Sequence, residues 1–328
     1  YSHRSTVLHT LVAALPGGIN VSGTDTVLPV VPMFHANAWG LPFVSTFVGA
    51  KQVFPGPHLD SESLLDLYQR ERVTVTGGVP TIWLSLLQTL RANPGKYDLV
   101  PGMRMMVGGS AAPESLFRGF DEFGLEVGTG WGMTETSPIG TMGSPTPNWD
   151  DLAADEQIDV VCKQGRVPFG VELRVVDKDG NVAPRDGVTS GALQIRGPWV
   201  VKRYFKAEED AVDNDQWFDT GDVSVLHPDG TMQITDRVKD VIKSGGEWIS
   251  SVELENAIME HELVLEAAVI ARPDERWDER PMACVVLVEG ATLTHDELRA
   301  HLEPLVAKWW LPETIVYIDE VPKTSVGK

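Results

Sequence analysis

The sequence predicts an α/β protein: a large domain of α/β layers with a small β-rich subdomain, followed by a smaller α+β domain. Three observations carry this prediction. Short apolar runs alternate with helical periodicity up to about residue 145. The middle of the chain then switches to short strands joined by Asp-Gly turns, and the last third places helix caps between further strands.

In the first region VLPVV at 27–31 and MRMMV at 103–107 read as buried strands. Helices lie between and after them. Asp60 and Ser61 precede Leu64, Leu65 and Tyr68, and Pro80 precedes Ile82, Trp83, Leu86, Leu87 and Leu90. Pro113 opens another, with Leu116, Phe117 and Phe120 on one face and Gly124 as its C-terminal stop. Strands alternating with helices imply a largely parallel sheet. From about 165 to 236, VELRVVD, ALQIR, GDVSVL and TMQIT read as strands, with Asp179-Gly180 and Asp229-Gly230 as turn signals. Beyond Asp236 come capping boxes at Ser250–Glu253 and Thr294–Glu297 and strands near 264–270, 283–288 and 315–319. The domains are therefore expected at 1–238, with an α/β part over 1–145 and the β-rich part over 165–236, and at 239–328.

The chain has 328 residues, 42 % of them hydrophobic, which excludes disorder along its whole length and fits about two domains. With 47 acidic and 27 basic side chains the net charge is −20, which argues against sequence-independent binding of nucleic acid. Residues 1–150 hold 8 basic and 12 acidic side chains, so most of the excess acid lies beyond them. Cys162 and Cys284 are too few for a metal cluster or a disulfide scaffold, so a reducing, cytoplasmic setting is expected. The uncharged stretch from Thr26 to Ala50 contains Pro29, Pro32 and Pro42 together with His35 and Asn37. It reads as strand, loop and helix rather than a membrane span.

Four segments carry chemistry. Gly128-Thr129-Gly130-Trp131-Gly132-Met133-Thr134-Glu135 combines glycines that let backbone N–H groups approach a phosphate with a hydroxyl and a carboxylate suited to Mg²⁺. Its spacing is not the dinucleotide fingerprint, and a glycine-rich turn with a capping Thr is an equally good account of it alone. Trp217–Asp222, followed by Asp236-Arg237-Val238-Lys239-Asp240, offers an acid for ribose hydroxyls and a nearby Arg, or a surface turn and an ordinary ion pair. Lys243–Ser250 is a glycine pair leading into a capped helix, and Pro322–Lys328 is a loop ending in a single Lys.

In this order, PMFHANAWGLPF, GGSAAP, GWGMTETSP, WFDTGD and DRVKDVIKSGGEWISSVELE resemble the acyl-activating, adenylate-forming enzymes. Among acyl-CoA synthetases, luciferases and peptide-synthetase adenylation domains, the match is best to medium- and long-chain fatty acyl-CoA synthetases, and it runs from Tyr1 to Lys328. The resemblance implies a large adenylate-forming domain with a small β-barrel subdomain, then a mobile C-terminal domain hinged near Lys239. It implies ATP and CoA as co-substrates, Mg²⁺ as cofactor and a fatty acid that attacks the α-phosphate of ATP, so no protein nucleophile is needed. Contact with a membrane surface and a homodimer are both compatible with it.

Residue by residue, Gly109, Thr129, Gly130 and Trp131 would line the AMP pocket. Thr134 and Glu135 would hold phosphate and Mg²⁺, Asp222 would take the ribose hydroxyls beside Arg237, and Lys239, Lys243 and Trp248 match nucleotide-contacting or hinge positions. His35 and Ala36 would border the acyl–adenylate junction, with Trp39 gating an acyl tunnel; core packing is the plainer account of His35 and Trp39. Gly245 and Gly246 would border the pantetheine tunnel, and Lys328 would stabilise the adenylation transition state. The family's phosphate loop, T-S-G-T-T-G-x-P-K-G, is expected ahead of YSHRS, so the chain is expected to be a piece of a longer enzyme with little or no ligase activity by itself. Ligases of aryl acids or carrier proteins, and an inactive nucleotide- or acyl-binding fragment, are the competing readings.

Overall fold

The computed structural model describes residues 1–323 apart from 110, 111, 147 and 246. The first region contains strands β1 (Thr26–Pro29), β2 (Lys51–Gln52), β3 (Val75–Gly78), β4 (Arg104–Val107), β5 (Glu126–Gly132) and β6 (Ile139–Met142). They form one sheet in the order β2-β1-β3-β4-β5-β6, parallel throughout except for the antiparallel β5–β6 pair. The helices are α1 (His3–Ala13), the single turn α2 (Ala36–Trp39), α3 (Leu41–Val48), α4 (Ser61–Glu71), α5 (Pro80–Ala92), α6 (Glu114–Asp121) and α7 (Ala154–Cys162).

The helices start and stop for visible reasons. Asp60 Oδ1 accepts the Ser63 N–H at 2.9 Å and caps α4. Gly124, at φ 64°, closes α6 with the Gly124 N–H on the Asp121 carbonyl and the Leu125 N–H on the Phe120 carbonyl. Leu64, Leu65 and Tyr68 of α4, Trp83, Leu86, Leu87 and Leu90 of α5, and Leu116, Phe117 and Phe120 of α6 pack in one core with Leu28 and Met105 of the sheet and Met103 just before β4. Each such side chain stabilises the fold by about 1.5–3 kcal/mol.

Two features differ from the sequence reading. β3 and α1 had no strong pattern, yet β3 sits in the middle of the sheet. Gly128–Gly132, for which a glycine-rich turn is one of two accounts, forms the C-terminal half of β5, paired with β6 through Gly130↔Met142 and Trp131↔Thr141. Glycines are required there by close packing: a Cβ on Gly140 would lie 2.2 Å from the Trp131 ring. Gly140→Ala is therefore expected to cost about 1–3 kcal/mol, read as a lower denaturation midpoint at unchanged m-value. An unshifted midpoint would show that the ring has room to move.

The second region is the open sheet β10-β9-β8-β7, all antiparallel, formed by β7 (Glu172–Val176), β8 (Gly191–Arg196), β9 (Phe218–Leu226) and β10 (Met232–Arg237). These four strands are the β-rich part expected over 165–236. Asp229-Gly230 joins β9 to β10 as expected, with Gly230 at φ 85°. Asp179-Gly180 instead heads a short loop closed by the Val176↔Val182 bridge. The Arg174 and Arg196 guanidinium groups lie 4.4 and 4.5 Å from the centroid of the Trp217 ring.

Beyond a turn at Val238–Asp240 lie β11 (Ile242–Ser244), β12 (Glu247–Ile249), α8 (Ser251–Met259), β13 (Val264–Asp274), β14 (Asp278–Leu287), α9 (His295–Leu302) and β15 (Thr314–Tyr317). The sheet order is β12-β11-β14-β13, with β15 parallel to β14. Ser250 and Thr294 cap α8 and α9, and only Thr294–Glu297 makes both bonds of the capping box. Ile242, Ile249, Leu254, Ile258, Val285, Leu298 and Leu302 are among this region's own core residues. Among the described residues no helix is long and apolar enough to cross a membrane.

Candidate functional site

A cavity of 1440 Å³ opens where the C-terminal ends of β4 and β5 meet the second sheet, with α8 and β13 across it. Open parallel sheets bind ligands at this end of their strands, and the volume exceeds what one drug-sized ligand fills, about 300–1,000 Å³. His35, Ala36, Trp39, Gly109, Gly130, Trp131, Thr134, Glu135, Asp222, Arg237 and Lys239 all line it.

His35 to Trp39 enter the cavity through an unusual backbone. Ala36, Asn37, Ala38 and Trp39 have φ of 47°, 54°, 51° and 56°, so α2 winds left-handed. That costs about 1–2 kcal/mol per non-glycine residue, and such strain concentrates at functional sites. Packing holds the turn. Ala38 and Leu41 are fully buried, and the His9 ring lies against Gly40, where a Cβ would be only 2.8 Å away. Burial pushes His9 down to about 4, leaving it neutral, and its Nε2 accepts the Ile139 N–H at 3.3 Å. The turn sets the Trp39 indole against Gly77 and Gly108, which lack the side chains that would displace it.

Thr134 and Glu135 sit in a single 3-10 turn directly after β5. The Tyr204 hydroxyl donates to Glu135 Oε1 at 2.8 Å, and the Glu135 carbonyl accepts the Val201 N–H at 2.7 Å. Partial burial and the Glu135 carboxylate push Tyr204 up to about 12, so it stays a donor. Among the described residues no three His, Cys, Asp or Glu side chains converge on a common point. The Glu135 carboxylate next to the Thr134 hydroxyl fits Mg²⁺, which is typically held by one or two carboxylates plus substrate phosphates. Asp222, in β9, is buried; its Oδ2 accepts the Trp131 indole N–H at 2.8 Å, and Arg237 Nε lies 3.5 Å from Oδ1. Burial pushes the Cys162 thiol in the cavity wall up to about 12, so it is no nucleophile.

Other expected residues are placed elsewhere. Thr129 is buried, and its hydroxyl donates to the Val161 carbonyl at 3.0 Å and to the Lys163 carbonyl. It ties the end of α7 to β5, because successive strand residues point to opposite faces. Lys243 and Trp248 are cross-strand partners in the β11–β12 hairpin, with Gly245, at φ 63°, between them. That hairpin is at the edge of the third sheet, outside the cavity lining, because α8 and β13 are the elements turned to the cavity. Gly246 and Lys328 lie outside the described residues.

The cavity also has walls that sequence reasoning missed. Leu84 of α5 and Met106 of β4 add apolar surface and Thr81 of α5 a hydroxyl side chain, while Glu255 of α8, Glu266 of β13 and Lys323 come from the third region. Lys323 Nζ pairs with Glu266 at 2.8 Å. No periodicity marks these positions, since their cavity role arises only when distant regions meet.

Comparison with known proteins places this geometry in a family. The AMP-binding enzyme model matches residues 1–205, and the AMP-binding enzyme C-terminal domain matches 253–328. The medium-chain-fatty-acid–CoA ligase of Ectopseudomonas oleovorans is 46 % identical over 329 residues, covering 100 % of this chain and 60 % of the relative. The long-chain-fatty-acid–CoA ligase of Thermus thermophilus is 48 % identical over 332 residues, covering 100 % of this chain and 61 % of its own length. The chain thus spans about 60 % of the length of these curated relatives. The solved structure of ATP-bound MatB from Rhodopseudomonas palustris superposes with a TM-score of 0.84 at 26 % identity, over 99 % of this chain and 62 % of that one. Both domain matches fall in the order in which the three regions build the cavity, and the chain belongs to the AMP-binding enzyme family.

Proposed function

We propose that the protein to which this chain belongs is an ATP-dependent fatty acid–CoA ligase. It joins a fatty acid to AMP with release of pyrophosphate, then transfers the acyl group to CoA with release of AMP. The observation that carries this reading is one cavity lined both by Glu135 and Asp222 and by Trp39, Leu84 and Met106.

The substrate carboxylate is itself the nucleophile, so the chain's residues bind, orient and neutralise charge. Asp222 accepts ribose hydroxyls, with Arg237 beside it. Thr134 and Glu135 would hold Mg²⁺ against the phosphates, where the ion supplies positive charge to the crowded phosphate oxygens. His35 and Ala36 border the acyl–adenylate junction, and the apolar wall takes the tail at about 0.8 kcal/mol per buried CH₂. Lys328 completes the cation set for adenylation. The thioester step uses the other face of the third region: Lys243, Gly245, Gly246 and Trp248 reach the nucleotide and pantetheine after rotation about Lys239. Their distance from the cavity lining in the present arrangement supports two arrangements of that region. The free thiols of Cys162 and Cys284 fit a reducing cytoplasm.

The test is thioester formation by the full-length protein over a series of carboxylic acids with ATP and CoA. Medium- and long-chain fatty acids are expected to give the highest kcat/KM. A benzoate outcompeting octanoate and palmitate would overturn the fatty-acid reading. So would 3-methylmercaptopropionate, the acid named for a relative from Ruegeria pomeroyi that is 46 % identical and covers 100 % of this chain and 61 % of its own length.

A further inference from the structure

Asp222 is held by a partner from a different sheet. Trp131 belongs to β5 of the first sheet, and its indole N–H crosses to Asp222 Oδ2 in β9 of the second, at 2.8 Å. Both side chains are buried, Trp131 at 8 % exposure and Asp222 at 8 %. The ring has little freedom. Gly140 lies directly against it, with space for no Cβ, and the ring packs in the cluster that contains Phe218 and Met232. An indole N–H is a donor only, so its partner must be an acceptor. A rigid donor aimed at a buried carboxylate sets its orientation.

We infer that Trp131 is a positioning residue for nucleotide recognition: its N–H fixes the Asp222 carboxylate in the orientation that accepts the ribose hydroxyls. This rests on the ATP reading above. A carboxylate offers about four lone-pair sites, so accepting the indole N–H is compatible with accepting hydroxyls. The arrangement also makes ribose binding depend on the seam between the first and second sheets, because the orienting donor and the acceptor come from opposite sides of it. Stacking of the Trp131 ring on a base would be a separate contribution, insensitive to the sugar.

That difference defines the experiment. In the full-length protein, dissociation constants are measured for ATP and 2′,3′-dideoxyATP with wild type, Trp131→Phe, Asp222→Asn and the double variant. Trp131→Phe keeps an aromatic ring and removes the donor. It is expected to weaken ATP about tenfold and dideoxyATP by less than about twofold, so the preference for the ribose hydroxyls collapses. Adding it to Asp222→Asn is expected to cost nothing further. Trp131→His, which keeps a ring N–H, is expected to recover part of the preference. If Trp131→Phe weakens both nucleotides equally, or leaves ATP binding unchanged, the inference is overturned. The Asp222→Asn variant keeps the indole in place, and a full ribose preference in it would remove Asp222, and Trp131 with it, from ribose recognition and overturn the inference. If Trp131→Phe fails to fold, Trp131→His carries the comparison, and loss of ATP and dideoxyATP binding to the same extent in it overturns the inference. Wild-type protein that binds no ATP would overturn the nucleotide reading and the inference together; ATP binding with a ribose preference that survives Trp131→Phe overturns the inference alone.

Discussion

Glu135→Gln in the full-length protein is expected to slow ATP-dependent acyl-adenylate formation by about 10²–10³-fold. Glu135 is the one carboxylate in the 3-10 turn that follows β5, and that turn lines the cavity. The amide keeps an oxygen that can accept the Tyr204 hydroxyl, now at 2.8 Å, so the local hydrogen bond survives and the change isolates the charge. Losing that charge weakens the hold on Mg²⁺ and leaves the reacting phosphate less neutralised. The readout is ATP–pyrophosphate exchange, with thioester formation from preformed acyl-adenylate as the control. The control is expected to stay within a few-fold of wild type, because that step moves no pyrophosphate. Exchange at the wild-type rate in Glu135→Gln would remove Glu135 from this role.

Glu255→Gln is expected to stabilise the protein at alkaline pH and leave it unchanged at acid pH. Glu255 is partly buried on α8, its Oε1 accepts the Val269 N–H at 2.9 Å, and burial pushes it up to about 7 from the usual 4.5. Asp236 of β10, Asp240 in the following turn and Glu266 of β13 raise it further, while Lys323 is paired with Glu266. Below pH 4.5 the folded and unfolded forms both carry the proton. Between 4.5 and 7 only the folded form does, so stability falls as pH rises through that window and is lowest once the folded carboxyl ionises above it. The shift corresponds to at most about 3 kcal/mol. Chemical denaturation from pH 5 to pH 8 should show a declining slope in wild type that flattens in Glu255→Gln, with the amide still accepting from Val269. Parallel profiles for the two proteins would exclude a raised Glu255.

Much of the fold was legible in the chain because its signals are local. Asp60 caps α4, Pro80 opens α5, Gly124 closes α6, and Thr294 with Glu297 starts α9, each by hydrogen bonds or dihedral restrictions spanning only a few residues. The strands at 27–31 and 103–107 were legible as apolar runs. β3 was not, because Thr76, Gly77 and Gly78 dilute its apolar pattern; Gly78 is needed since Trp83 packs where a Cβ would stand, 2.8 Å away. The strand at β5 was not legible for the same reason: Gly130 and Gly132 serve close packing within it, and a glycine-rich string is equally compatible with a turn. Eleven of the residues expected at the site converge on one cavity. Thr129 does not, because strand alternation turns its hydroxyl to the Val161 and Lys163 carbonyls.

By itself the sequence determined that the chain is α/β with a later α+β region, which residue types could bind a nucleotide and a metal, and that the net charge is −20. These follow from composition, short-range periodicity and ordered motifs. Only the tertiary structure decided that α2 winds left-handed over His9, that Tyr204 holds Glu135, that Trp131 and Asp222 share a hydrogen bond 91 positions apart, and that α8 rather than the β11–β12 hairpin faces the cavity. Each of these depends on segments far apart in the chain being pressed together. The direction of a buried donor or carboxylate is set by what packs around it, and nothing in its immediate neighbours encodes that.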